Sequence, residues 1–314
     1  MEALREALFQ AYEAARGVVH QGKVATYIPE LARANPARLG AAVVTPAGSL
    51  IEVGETHPPF TLQSVAKVLS LALALAHCGP DAVFARVGME PTGEPFNSLV
   101  NVETAEAKPL NPMINSGALA VCALLVEAMG HDAAWDALLA LARELCRPEP
   151  VSFSERVYAS EKETAYRNRA LAYLLKELGI IRGAPEEALE LYVRICALEV
   201  TCAGLARMAF RFAHPLSISQ ATGIPAEVIR IVNTFLVTCG MYNASGEFAI
   251  KAGIPAKSGV SGAIMAVVPG RMGIGVIGPA LDRRGNSIGG THLLTALSHR
   301  LELSIFGPPP LTRQ

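Results

Sequence analysis

Residues 59–80 read PFTLQSVAKVLSLALALAHCGP, and the fold turns on how this stretch is read. From Val65 onward it is almost wholly apolar, which predicts a helix buried on every side. Its first turn nevertheless carries Ser64 and Lys67, a hydroxyl and an amine three residues apart on one helical face. Ser64 falls where free backbone N–H groups and the positive end of the helix dipole are available. A serine hydroxyl is a weak nucleophile until a base takes its proton. A lysine becomes such a base once desolvation lowers its pKa. The spacing alone fits equally well a lysine at a helix start that snorkels to water.

The pattern changes on either side of this helix. Residues 2–17 have apolar positions at helical spacing, and a polar turn follows over 20–36. Residues 38–54, RLGAAVVTPAGSLIEVG, read as two strands joined at Pro46-Ala47-Gly48. From 61 to 238 the chain is mostly helical, as in GALAVCALLVEAMG (117–130) and HDAAWDALLALARELC (131–146). Strands return over 255–279, with a turn at Pro269-Gly270. A last helix is predicted from a cap at Asn286 through THLLTALSHRLELSIF (291–306), with the tail 307–314 loosely held. A helical domain (61–224) inserted into a sheet domain (1–60 and 225–314) explains this order, with an active site expected between the two.

Bulk composition narrows the class. The 314 residues are 51% hydrophobic and 18% charged, a globular balance, and the net charge of −1 leaves no basic excess for nucleic acid or an anionic membrane. The longest apolar run, 68–76, is interrupted by Ser70 and too short to cross a bilayer. The charged N-terminal stretch lacks the layout of a signal peptide. Cysteines 78, 122, 146, 196, 202 and 239 form no C-x-x-C pair, and seven scattered histidines show no ligand spacing, so neither a metal site nor a disulfide framework is expected. Buried free thiols and a cytoplasmic location are the expectation.

A second element bears on Ser64 and Lys67. PAKSGVSG (255–262) contains Lys257-Ser258-Gly259 on a predicted strand, similar to the K-T-G that accompanies S-x-x-K in serine β-lactamases and penicillin-binding proteins. Alone it fits a strand lysine beside a glycine bulge; after S-x-x-K in this order it points to catalysis. The N–H of Val260 could pair with that of Ser64 as an oxyanion hole. Polar residues also sit oddly in apolar surroundings. Asn111 and Asn115 precede an apolar helix, where a capping role is the common reading. Glu161 and Asn168 are seven residues apart, two turns along one helical face. Tyr242 lies in a glycine-flanked loop and Tyr27 in a turn.

With GKVATYIPELA, FTLQSVAKV, GMEPTGEPFNSL, NPMINSGA, RNRALA, TCGMYNASGEFA, GIPAKSGVSGAI and LDRRGNSIGG in order between Gly22 and Gly290, the chain resembles bacterial-type glutaminases of the serine-dependent β-lactamase-like superfamily. It departs from the family pattern at YVRICA (192–197, usually Y-x-x-Q-C-S), at Asn243 (usually Asp), at SGAI and at Glu55. The resemblance implies an α+β fold, a mainly antiparallel sheet flanked by helices with an all-helical insertion. It implies hydrolysis of L-glutamine to L-glutamate and ammonia through a glutamyl-serine ester. Ser64 would attack, Lys67 would take its proton, and Tyr27, Tyr242 and Ser258 would be the candidates for returning a proton to ammonia. Glu161 would hold the substrate ammonium. Asn115, Asn168, Tyr192 and Tyr242 would hold its carboxylate or position its amide. No cofactor or metal is implied; a homo-oligomer, dimer or tetramer, is. Two other readings share these residues: a penicillin-binding esterase or β-lactamase, and a non-catalytic amino-acid-binding relative. Side activity on asparagine, one methylene shorter, is also open.

Overall fold

The computed structural model describes residues 1–95, 98 and 108–307. Phe96, Asn97 and Leu99 of the GMEPTGEPFNSL stretch, and the tail from 308, lie outside the described residues.

The chain opens with α1 (Glu2–Arg16), whose Ala7, Leu8, Ala11 and Ala15 form one buried stripe. β1 (Gly40–Val44) and β2 (Leu50–Gly54) form the expected hairpin. The two-residue β3 (Phe60–Thr61) leads into a 3-10 turn, Gln63–Ala66, and then α2 (Lys67–Cys78). A helical stretch follows: α3 (Pro80–Phe84), α4 (Asn115–Met129) and α5 (His131–Cys146). After β4 (Ser152–Phe153) come α6 (Glu155–Thr164), α7 (Tyr166–Glu177) and α8 (Pro185–Cys196). β5 (Leu198–Val200) precedes α9 (Cys202–Ala213), α10 (Pro215–Thr222), α11 (Ala226–Cys239) and α12 (Ser245–Lys251). The chain returns as β6 (Ala256–Ser258), β7 (Ala263–Val268) and β8 (Met272–Ile277), and α13 (Ile288–Leu301) follows.

The main sheet has the order β2-β1-β8-β7-β6, every pairing antiparallel. Pairing β1 with β8, Val43 opposite Ile274, joins the two ends of the chain in one sheet. All residues of β1, β7 and β8 are buried because both faces are covered. Ala42, Val44, Met265 and Val267 face the large helical core, while Ala41, Val43, Ile264 and Ala266 face the core shared with α1 and α13. α9 lies directly on β8. A Cβ at Gly273 would come 2.0 Å from Phe210 N and one at Gly275 2.5 Å from Cys202 O, so only glycine permits this approach.

Several expectations need correction. The central block also holds a small sheet, β3-β5-β4, whose strands of two or three residues are too short to show a period of two. The helix expected to carry both Glu161 and Asn168 breaks at Ala165, which puts them on separate helices, α6 and α7. α13 is capped by Ser287, which accepts from Gly290 N at 3.0 Å, and not by Asn286. It ends at Leu301 rather than near 306, because Glu302 turns left-handed at φ +50°. All six cysteines are free thiols, five of them buried. Among the described residues no single helix is long and apolar enough to cross a membrane; α4 and α5 together would be, but they are bent by 113°.

Candidate active site

The 3-10 turn that carries Ser64 is held from several sides. Leu62 N donates to Leu198 O at 2.7 Å, which anchors the turn to β5. Gly259, just past β6, approaches from the opposite side, and a Cβ there would come 2.6 Å from Leu62 O. The Lys257-Ser258-Gly259 strand end is thereby brought against the turn that carries Ser64. Gln63 adopts φ +48°, a strained conformation for a residue with a side chain. Its amide donates to Glu161 Oε2 at 3.3 Å and, at the limit of a hydrogen bond, to Cys196 O at 3.5 Å.

Ser64 sits in the 3-10 turn and Lys67 is the first α-helical residue. In a 3-10 turn residues three apart eclipse, so both remain on one face. Lys67 does not snorkel. It is 1% exposed, and its ammonium donates to Met113 O at 3.1 Å and Asn115 Oδ1 at 2.6 Å. Both acceptors are neutral. Burial therefore pulls its pKa down to about 8, with Cys196 and Glu161 opposing the shift. Asn115 is not a cap but the first residue of α4, and no side chain caps that helix. Besides Lys67, its Oδ1 accepts from the Tyr192 hydroxyl at 3.3 Å, and its Nδ2 donates to Asn168 Oδ1 at 2.9 Å. The local turn is secured instead by Asn111, whose Oδ1 accepts from Met113 N and Ile114 N at 3.0 and 3.2 Å.

Glu161 is buried, and its pKa is raised to about 7 by burial, against the stabilising Gln63 amide and Lys67. Tyr242 has φ +54°, and its phenol interacts with the Ser64 side chain, which opposes the rise in pKa that burial causes. Burial raises its pKa, which keeps the phenol protonated. Lys257 Nζ lies 4.5 Å from the centre of the Tyr242 ring and donates to Ser258 O at 2.7 Å and Gly240 O at 3.2 Å. Burial, reinforced by Lys67, holds its pKa well below the ordinary range. Ser258 Oγ is buried without a hydrogen-bond partner among the described residues.

Six of the expected residues, Tyr27, Ser64, Asn115, Glu161, Asn168 and Tyr192, line one cavity of about 50 Å³. Tyr27 is 54% exposed overall, and desolvation of its phenol, followed by Glu161 and Tyr242, raises its pKa. It is also a wall of an outer cavity of about 740 Å³, which Val260 lines as well. Lys67 joins the group through Asn115, Tyr242 through Ser64, and Ser258 through β6. Gln63 and Arg167 line the inner cavity and were not singled out from sequence. The only signal for Gln63 was a polar side chain beside Ser64 in an otherwise apolar stretch. Among the departures from the family pattern, Ile195 is buried in the core of α8. Asn243 is exposed, its Nδ2 3.4 Å from Gly93 O. Chemically, the arrangement offers a hydroxyl, a buried amine bonded only to neutral acceptors, phenolic proton donors and a carboxylate able to meet a cation.

The family model described as Glutaminase matches residues 22–306. A glutaminase of Geobacillus thermodenitrificans (strain NG80-2) is 50% identical over 309 residues, covering 96% of this chain and 98% of that protein. A solved structure named "Probable glutaminase ybaS" superposes with a TM-score of 0.92 at 34% identity, covering 98% of this chain and 99% of the other. A Bacillus subtilis glutaminase, YbgJ, in covalent complex with 5-oxo-L-norleucine after reaction with 6-diazo-5-oxo-L-norleucine, has a TM-score of 0.82 at 37% identity. That match covers 95% of this chain and 98% of the other.

Proposed function

Because the chain belongs to the glutaminase family and is itself a glutaminase, converting L-glutamine and water to L-glutamate and ammonia, we propose that Ser64 is its nucleophile and Lys67 the base. The observation that carries this reading is Lys67: a fully buried amine, three residues from Ser64, bonded only to neutral acceptors. Such an amine is half deprotonated near pH 8 and can take the Ser64 proton.

Ser64 Oγ attacks the side-chain carbonyl carbon while its proton passes to Lys67. The backbone N–H groups of Ser64 and Val260 receive the oxyanion. Tyr242, which interacts with Ser64, delivers a proton to the departing nitrogen and regains one from Lys67. The C–N bond breaks, ammonia leaves, and a glutamyl-serine ester remains. Water then attacks the ester, and the proton returns to Ser64. Tyr27 and Ser258 are the other hydroxyls at hand; the interaction with Ser64 favours Tyr242. Glu161 holds the substrate ammonium, and Asn115, Asn168 and Tyr192 hold its carboxylate and amide. Glutamine enters from the outer cavity past Tyr27.

The division into a sheet part (1–60 and 225–314) and a helical part (61–224), with the cleft between them, belongs to the same reading. So does a cytoplasmic location, supported by six unpaired thiols. A homo-oligomer is the third part, supported by exposed apolar side chains such as Ile250 and Phe306.

The test is ammonia release from glutamine, with asparagine and a labelled penicillin in parallel. Ser64→Ala should lose roughly 10⁴-fold or more in kcat with the fold intact. 6-Diazo-5-oxo-L-norleucine should leave its adduct on the peptide containing Ser64. An adduct elsewhere, or an active Ser64→Ala, would remove Ser64 as the nucleophile.

A further inference from the structure

The LDRRGNSIGG stretch matches the family pattern, yet no residue in it has a part in the chemistry above. Its asparagine does not cap α13, since Ser287 does so. Asn286 is nonetheless 1% exposed, and burying a primary amide is costly unless it is hydrogen-bonded. Its Nδ2 donates to Met241 O at 3.2 Å, across 45 residues of chain. A carbonyl can only accept, so the nitrogen end of the amide must face Met241.

Met241 is the residue before Tyr242, and Tyr242 is held in a left-handed conformation that a side chain disfavours. Such a conformation persists only where its surroundings impose it. Ser245 supplies the second constraint: its Oγ accepts from Met241 N at 3.0 Å and donates to Tyr242 O at 2.7 Å. Two side chains thus bind three backbone groups of the Met241-Tyr242 pair.

Asn286 is itself firmly placed. Asp282 Oδ1 accepts from Arg284 N at 2.8 Å and Asn286 N at 3.0 Å, and Asp282 N donates to Asn286 O at 2.8 Å. On its other side the turn is tied to the segment leading to Tyr27, because Leu281 and Lys23 exchange backbone hydrogen bonds at 2.9 and 3.0 Å.

We propose that Asn286, presented by the 281–286 turn and assisted by Ser245, is a positioning residue that holds Tyr242 in the backbone conformation aiming its hydroxyl at Ser64. This rests on the reading of Tyr242 as the proton donor to ammonia.

The experiment measures kcat, KM and melting temperature of the full chain for Asn286→Ala, Asn286→Asp, Ser245→Ala, Tyr242→Phe and the double variant Asn286→Ala/Tyr242→Phe. Asn286→Ala should lower kcat roughly tenfold while KM moves less than about threefold, since the misplaced group acts in the chemical step. Asn286→Asp, isosteric but without a donor when ionised, should fall with it. In the Tyr242→Phe background the Asn286 substitution should cost nothing further. Should Asn286→Ala not fold, Ser245→Ala carries the same test. If Tyr242→Phe is impaired while both positioning variants keep wild-type kcat, the inference fails and the proton-donor reading stands. Losses that multiply in the double variant place the action of Asn286 elsewhere and also overturn it. A fully active Tyr242→Phe removes the proton-donor reading, and the inference with it.

Discussion

Two pairs of helices enter the core in opposite ways. α9 and α13 begin as capping rules lead one to expect: Thr201 Oγ1 accepts from Gly204 N at 3.1 Å, and Ser287 Oγ accepts from Gly290 N at 3.0 Å. α2 and α4 have no side-chain cap, although Ser64, Lys67 and Asn115 stand at their starts. Those side chains are turned instead toward one another and toward Tyr192, Asn168 and Tyr242. The first pair of helix starts satisfies its own backbone. The second leaves polar groups arranged around a cavity, at a cost in stability that the surrounding core offsets.

The comparison breaks most visibly at Lys67. Lys67→Met should lower kcat roughly 10³-fold or more by removing the base. Its melting temperature at pH 7 should stay within a few degrees of wild type, because an apolar chain of similar length replaces a buried amine. A fully active variant would exclude lysine as the base. Glu161→Gln should raise KM roughly 10²-fold, because the ammonium loses its charged partner.

The second effect of Glu161→Gln is on stability, and its sign follows from linkage. The folded-state pKa of Glu161 is raised from 4.5 to about 7. Between those values the folded protein binds a proton that the unfolded chain does not. The contribution of Glu161 to stability is therefore present below pH 4.5 and is lost as pH rises to 7. Glu161→Gln should accordingly raise the melting temperature relative to wild type at pH 8 more than at pH 5, and an equal difference at both pH values would contradict the buried carboxylate.

The pH–rate profile sharpens the same contrast. kcat/KM should rise with pH through about 8 as Lys67 loses its proton, and the limb governed by that group should vanish in Lys67→Met. The smallest effect lies on the other side of the comparison. Thr201→Ala should cost about 1 kcal/mol of stability, the usual value of a cap, and leave kcat and KM unchanged. Denaturant titration beside the activity assay checks both halves.

The parts of the fold legible in sequence were those written over short stretches. The β1–β2 hairpin showed in its turn residues, and the burial of α2 in its composition. Ser64 and Lys67 showed as an i, i+3 pair. The readings that went astray concerned what distant chain segments do to a side chain. Asn286 looked like a cap, and capping was the ordinary alternative for Asn115, since a polar residue before an apolar run usually is one. In the fold Asn115 answers to Lys67, 48 residues away, and Asn286 to Met241, 45 residues away. The break at Ala165 and the β3-β5-β4 sheet were likewise invisible, the one inside a helical pattern and the other too short to have a period.

By itself, then, the sequence determined the order of elements, which faces are apolar, and that a hydroxyl and an amine share the start of a helix meant for the interior. These are properties of neighbours, set by periods of two and 3.6 residues. Only the tertiary structure decided what each buried polar group is bonded to. It alone made Lys67 a weakly basic amine, Glu161 a reluctant carboxylate and Tyr242 a strained phenol against Ser64. The physical reason is that desolvation and hydrogen bonding depend on which distant atoms arrive beside a group, and local periodicity carries no record of them.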